Sequence, residues 1–298
     1  MKKALIKTGY GCNNNCVFCH LGDKRNDNLT TKEVENKILF CKKQGYNFVV
    51  FSGGESTIRT DIIDIAKFVK KNEMNLGFIT NGRMFSYYPF VEKLIQNNLK
   101  YVYVSLSGSN EKIHNSITNS QSFNQTVKGI ENLAKYKSLE LKLNITVISE
   151  NIYDLKNMVD LAKNIGAKKI KFSSVDCKGN VLKDMKIVPK LSLTIEKIKE
   201  AVDYTIEKGM QPLVSDFPLC LIGEYSRYID NLETNGIKVM SEVFEDKLFP
   251  IDFDDKVKSS VCAGCEKYKS CKGIDKEYLK RNGDGEIRDA RKLNISKY

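Results

Sequence analysis

Seven of the nine cysteines in this 298-residue chain fall into two groups whose spacing suits metal chemistry. The first is Cys12, Cys16 and Cys19, a C-x-x-x-C-x-x-C run within eight residues. Three thiolates so close can grip one centre but leave a tetrahedral zinc site one ligand short. His20, adjacent to Cys19, is poorly placed to converge on the same ion. A [4Fe–4S] cube held by three cysteines is the natural alternative, and its fourth iron stays open to a ligand that is not protein. Asn13, Asn14 and Asn15 suit the sharp turn this spacing demands, because Asn tolerates left-handed backbone. The second group is Cys262, Cys265 and Cys271, with Gly264 allowing a knuckle turn and Cys220 available upstream as a fourth thiolate. Four thiolates close a site that either zinc or an iron–sulfur cluster accepts. Of the two remaining cysteines, Cys41 shares a helical face with Val34 and Ile38 and is expected to be packing. Cys177 follows a strand and is kept as a candidate catalytic residue.

These groups need elements to position them. Short β-rich runs alternate with helical periodicity, giving six strand-then-helix units. Strands are expected near 3–8, 47–52, 75–80, 101–107, 141–148 and 169–175, and helices near 30–44, 60–72, 88–98, 122–137, 151–165 and 192–208. Thr30, Thr60, Ser122 and Asn151 are the expected N-caps. Such alternation implies an α/β fold with a parallel sheet and right-handed crossovers. The runs Asn47 to Phe51 and Tyr101 to Val104 are apolar enough to be covered on both faces. Six units are too few to close an eight-stranded barrel, so an open barrel or a doubly wound sheet fits, and in both the loops at the carboxyl ends of the strands should build the site. From about residue 210 the rhythm stops; Gln211 and Pro212 open an irregular segment with an expected hairpin at Asn235 and Gly236. Two domains are expected, residues 1–209 and a smaller 210–298.

The first cysteine spacing, with the aromatic Phe18 just before Cys19, resembles the radical S-adenosylmethionine (radical SAM) superfamily. Ser52-Gly53-Gly54-Glu55 after the second strand resembles that family's GGE motif, where close backbone and a carboxylate would meet the methionine end of SAM. Thr80-Asn81-Gly82 and Ser105 end the third and fourth strands where the family places SAM or substrate contacts, and Asn144 resembles a ribose contact. The resemblance implies a partial (β/α)6 TIM-like barrel, a SAM-binding [4Fe–4S] cluster on Cys12, Cys16 and Cys19, and cofactor contacts from Phe18, Gly53, Gly54, Glu55, Thr80, Ser105 and Asn144. His114 falls where relatives carry a His, and a surface position suits it as well. The C-terminal cysteines resemble the auxiliary-cluster domains of SPASM and twitch type. SPASM members continue with a Cys where this chain has Asp275, so the twitch type, with a second [4Fe–4S] cluster on Cys220, Cys262, Cys265 and Cys271, is the expectation.

Composition sets limits on partners. Hydrophobic residues make up 41% and charged residues 29%, with only 5 Pro, which excludes disordered and collagen-like chains. No apolar run is long enough to span a membrane, and the N-terminus has too short an apolar core for a signal peptide. A cytoplasmic protein is expected. The net charge of +11 lies in residues 1–209. No basic run is interleaved with aromatics, so solvated Lys-rich helices are expected rather than a nucleic-acid surface. The resemblance implies hydrogen abstraction from a peptide undergoing crosslinking, epimerisation or dehydrogenation, with electrons from a donor such as flavodoxin or ferredoxin. A dehydrogenase or epimerase of a carbohydrate or other small molecule is the alternative. A non-catalytic iron–sulfur or zinc protein that carries electrons or binds RNA is the reading of another class.

Overall fold

The computed structural model describes residues 2–24, 27–230, 238–240, 247–250 and 255–295. The chain runs β1 (Lys3–Lys7), α1 (Thr31–Lys43), β2 (Phe48–Ser52), α2 (Ile62–Lys71), β3 (Asn75–Thr80), α3 (Tyr88–Gln96) and β4 (Leu99–Ser105). It continues with α4 (Glu111–Thr118), α5 (Phe123–Ala134), β5 (Glu140–Val147), α6 (Leu155–Asn164), β6 (Lys169–Ser174), α7 (Leu191–Glu207) and β7 (Gln211–Ser215). After these come α8 (Leu219–Ile222), β8 (Lys238–Met240), β9 (Phe249–Pro250), β10 (Lys256–Val257), β11 (Ile274–Asp275), α9 (Lys276–Asn282) and α10 (Gly285–Ile295).

Strands β1 to β7 are parallel neighbours in chain order, and β8 adds a further parallel strand on the free side of β1, with β9 antiparallel beyond it. The α/β fold of a partial TIM-like barrel is therefore present, with eight parallel strands among the described residues rather than six. Two of them escape sequence reading. Gln211–Ser215, expected to be irregular, pairs with β6 from Lys169↔Gln211 to Ser173↔Ser215, so the sheet continues past residue 209. Pro212 fits because β7 stands at the end of the strand order, where one row of backbone groups needs no ladder partner. The expected hairpin at Asn235 and Gly236 lies outside the described residues.

Both faces of the sheet are buried, as parallel strands require. Val49 and Phe51 of β2 pack outward with the helices, while Phe48 and Val50 face an inner cluster with Leu5, Tyr101 and Tyr103. An edge-to-face aromatic chain, Phe51, Phe78, Phe85 and Phe90, ties β2 and β3 to α3. Each of the fully buried rings, Phe51, Phe78 and Phe85, stabilises the fold by about 1.5–3 kcal/mol. Strand β5 alternates strictly, with Leu141, Leu143, Ile145 and Val147 buried against helices and polar side chains on the inner face. That alternation turns Lys142 and Asn144 into the barrel.

Thr30 caps α1 through a capping box with Glu33. Thr60 and Asn151 do not cap; α2 and α6 begin from Asp61 and Asp154. Ser122 holds the N-cap position of α5 without a side-chain bond. Asn151 instead stitches loops together, accepting from Ile148 N and donating to the Ser107 and Thr146 carbonyls. Helix α4, absent from the sequence reading, supports the first cysteine loop.

Candidate active site

Cys12, Cys16 and Cys19 lie on the loop that leaves the carboxyl end of β1, and all three are half-buried. The loop is fastened by groups distant in sequence. Asn15 N and Val17 N donate to the Thr118 and Ile117 carbonyls at the end of α4, both at 2.9 Å. Arg83, after β3, donates to the Asn13 carbonyl and, at 3.0 Å, to Asn14 Oδ1. Asn180, after β6, donates from its backbone to the Cys19 carbonyl at 2.9 Å and from its side chain to the Cys16 carbonyl at 3.0 Å. Backbone polar groups are thereby satisfied by protein, while three thiols share one loop. That donor set fits a cluster bound by three thiolates. Phe18 packs against the main core beside them.

Gly53 and Gly54 are required by protein packing. A Cβ on Gly53 would stand 2.1 Å from the Gly9 carbonyl oxygen, and one on Gly54 would stand 2.3 Å from those of Tyr10 and Gly11. Gly54 N and Glu55 N donate to the Gly9 and Gly11 carbonyls at 2.8 Å, so the loop after β2 is laid directly on the loop that leads to Cys12. The close approach that sequence reading reserved for a ligand is here made by backbone. Glu55 is 2% exposed, and its carboxylate accepts from Thr57 N, Thr57 Oγ1, Thr80 Oγ1 and Asn81 N. Burial pushes its pKa up, and those four hydrogen bonds oppose the shift. Thr80 is committed to this network too, and its hydroxyl also accepts from Gly82 N.

Ser105 and Asn144 stand side by side in register, and Asn144 is paired in turn with Lys171. Asn144 Oδ1 accepts from Tyr103 OH at 2.8 Å and Ser173 Oγ at 2.7 Å, and Ser173 bonds Ser215 at 2.9 Å. This polar ladder crosses four strands on the inner face. Sequence reading missed Lys171, which is 5% exposed and lies over the Tyr103 ring at 5.5 Å. Burial lowers its pKa, while Asp216 and Asp230 pull the other way. The inward phase of Asn144 and the register of β6 were the available signal.

His114 is not on the surface. It is 1% exposed, its Nδ1 accepts from Ser107 N, and burial, with Arg83 adding, pushes its pKa down to about 4. Cys177 is 3% exposed and its backbone N–H donates to Asp275 Oδ2 at 3.1 Å. Burial, followed by the Asp275 charge, pushes the thiol up to about 12. It lines a small pocket with Asp216, Lys256, Asp275 and Tyr278, and no residue of the cysteine loop lines that pocket. Asp275 also accepts from Glu277 N and Tyr278 N as the cap of α9, so its carboxylate is a latch between the C-terminal segment and the loop after β6.

Cys220, Cys262, Cys265 and Cys271 line one small pocket. Burial, then the neighbouring thiols of Cys271, Cys265 and Cys262, push Cys220 up to about 11. Four thiols around a shared space fit a metal group, although among the described residues neither these side chains nor those of Cys12, Cys16 and Cys19 converge on a point as they would for a single ion. No helix among the described residues is long and apolar enough to cross a membrane.

Comparison with known proteins agrees with this geometry. Among curated relatives, the "Probable GTP 3',8-cyclase" of Thermococcus kodakarensis is 32% identical over 159 residues, covering 52% of this chain and 51% of its own. The mycofactocin maturase MftC of Mycolicibacterium smegmatis is 25% identical over 210 residues, covering 70% of this chain and 52% of its own. The chain thus spans about half the length of these curated relatives. In fold it is similar to Streptococcus suis SuiB bound to the precursor peptide SuiA, with a TM-score of 0.70, 15% identity and coverage of 94% and 73% of the two chains. It is also similar to anSMEcpe with bound AdoMet and Cp18Cys peptide, with a TM-score of 0.66, 16% identity and coverage of 100% and 99%. The family described as the Radical SAM superfamily matches residues 6–162, more than half of the chain, and the chain belongs to that superfamily.

Proposed function

We propose that this chain is a radical SAM enzyme that carries a [4Fe–4S] cluster on Cys12, Cys16 and Cys19 and abstracts hydrogen from a peptide undergoing maturation. The observation that carries the reading is the single loop of three thiols at the carboxyl end of a parallel strand, with its own carbonyls tied off by Arg83 and Asn180. When bound, the cluster and SAM would supply a 5′-deoxyadenosyl radical able to take a hydrogen atom from an unactivated carbon. The chain's own residues prepare that site. Gly53, Gly54, Glu55 and Thr80 brace the loops after β2 and β3 against the cysteine loop. Ser105 and Asn144 offer polar groups inside the barrel for the nucleoside portion of SAM, and Phe18 supplies apolar cover.

The chain after β7 is assigned to a twitch-like auxiliary region in which Cys220, Cys262, Cys265 and Cys271 hold a second [4Fe–4S] cluster. Their shared cavity supports this, as does Asp275, whose carboxylate is engaged in capping α9 where a SPASM domain would place a further thiolate. A peptide substrate is supported by the maturase among the relatives and by fold neighbours solved with peptides. Electrons would come from a flavodoxin or ferredoxin in the cytoplasm. A carbohydrate or other small molecule is the second reading, favoured by the polar inner face on which Asn144, Ser173 and the buried Lys171 stand together.

Anaerobically reconstituted protein, reduced with dithionite, is expected to cleave SAM to 5′-deoxyadenosine, and Ala at Cys12, Cys16 and Cys19 together to abolish it. Folded, iron-replete wild type that neither binds SAM nor releases 5′-deoxyadenosine would overturn the proposal in favour of an electron carrier.

A further inference from the structure

We propose that Arg83 is a positioning residue that tunes the first cluster through one peptide unit, a role resting on the assignment of Cys12 as a cluster ligand. The guanidinium Nη1 donates to the Asn13 carbonyl, with Asn14 Oδ1 and Ser120 Oγ each at 3.0 Å. Its Nε donates to Gln125 Oε1 at 2.7 Å, which fixes the plane of the fork. The Asn13 carbonyl and the Asn14 N–H belong to the same peptide bond, and in a trans planar peptide they point in opposite directions. With the oxygen drawn to Arg83, the N–H is aimed at Cys12 Sγ, 3.4 Å away. Asn81 holds the preceding side chain, donating to Asn13 Oδ1 at 2.7 Å.

Cys12 sulfur therefore meets an amide whose direction is set by a cation on the far side of the peptide. Hydrogen bonds to cluster sulfurs and nearby positive charge both favour the reduced, more negative cluster and raise its potential. Arg83 supplies the charge itself and the hydrogen bond through Asn14. A residue that merely stapled α4 and α5 to the loop would change stability and leave the potential alone.

The test compares wild type with Arg83→Met and Arg83→Lys, using redox titration followed by electron paramagnetic resonance. Arg83→Met is expected to reduce at a more negative potential with altered g values. Arg83→Lys, which keeps the charge and one donor for the Asn13 carbonyl, should fall between. Unchanged potential and spectrum in Arg83→Met at equal iron content would overturn the proposal. Where a variant fails to retain iron, amide hydrogen exchange of the iron-free chain decides: Asn14 should exchange faster in Arg83→Met than in wild type and Arg83→Lys, and equal exchange overturns it. Iron-free exchange also separates this inference from the functional reading, because it is measurable even if the wild type assembles no cluster on Cys12, Cys16 and Cys19.

Discussion

The loop of Cys12, Cys16 and Cys19 is fastened by α4, Arg83 and Asn180, whereas the segment carrying Cys262, Cys265 and Cys271 is fastened mainly by its own turns. In the second segment Cys265 N donates to the Cys262 carbonyl, Tyr268 N to Cys265 and Cys271 N to Lys267. Long-range support for these cysteine turns comes from Leu219 N on Cys271 Sγ at 3.5 Å, while the flanking β11, α9 and α10 are tied to the barrel, with Asp275 accepting from Cys177 N, Tyr278 OH from Leu191 N and Glu286 from Ser192 N. A barrel can hold the first set of thiols in place before any metal arrives. Little but the bound group would hold the turns from Cys262 to Cys271, so their ordering should be coupled to metal.

The largest expected effect separates the two regions directly. Ala at Cys220, Cys262, Cys265 and Cys271 should lower iron from about eight to about four per chain, and limited proteolysis should then attack the turns from Cys262 to Cys271 while the barrel survives. Ala at the three N-terminal cysteines should lower iron equally and leave the proteolytic pattern as in wild type. Equal susceptibility of both variants would remove the contrast. One zinc with about four irons in wild type would identify the second site as a structural Cys₄ zinc site.

A smaller effect probes the fastening of the first loop. Gly179 has φ of +55°, and a Cβ there would stand 2.4 Å from the Cys19 carbonyl oxygen. Gly179→Ala should cost more than about 1 kcal/mol in urea unfolding, since both the backbone conformation and the contact oppose a side chain. Asn180→Ala removes one hydrogen bond to the Cys16 carbonyl and should cost about 1 kcal/mol. A loop that tolerated Gly179→Ala without loss would not be held as described.

The smallest effect concerns Cys177, which lies between the two regions. Its thiol, pushed up to about 12, stays protonated at neutral pH, so iodoacetamide should leave it unmodified in the native chain at pH 8. A thiol whose folded pKa exceeds its ordinary value of 9.0 favours the folded state less as pH rises, so this contribution is full below pH 9 and declines from there toward 12. Cys177→Ser should keep 5′-deoxyadenosine formation. If Cys177 is the hydrogen donor of an epimerisation, the variant should still abstract substrate hydrogen and lose the epimer, and unchanged product and rate would eliminate that role. Rapid alkylation of the native thiol would contradict the burial described.

Much of the architecture could be read locally, because apolar periodicity reports which backbone must be buried without needing to know its partner. The six β-rich runs and six helical stretches all correspond to elements, and the double burial of β2 and β4 follows from their apolar runs. Strand β7 was hidden because Pro212 reads as a breaker until its edge position is known. Helix α4 was hidden by its length of eight residues. The site divides the same way. Cysteine spacing pointed to two thiol groups, and the C-terminal four do line one cavity, yet nothing local said that Glu55 would be surrounded by Thr57, Thr80 and Asn81.

Residue type and spacing alone determined the two thiol sets, the parallel α/β rhythm and the burial of Cys41, since each depends on neighbours a few residues away. Tertiary structure alone decided why Gly53 and Gly54 must be glycine, where Lys171 and His114 lie, and what Cys177 touches. Those outcomes depend on which distant backbone arrives alongside, such as Gly9 against Gly53 or Asp275 against Cys177, and such pairings are fixed only when strand order and register close the sheet.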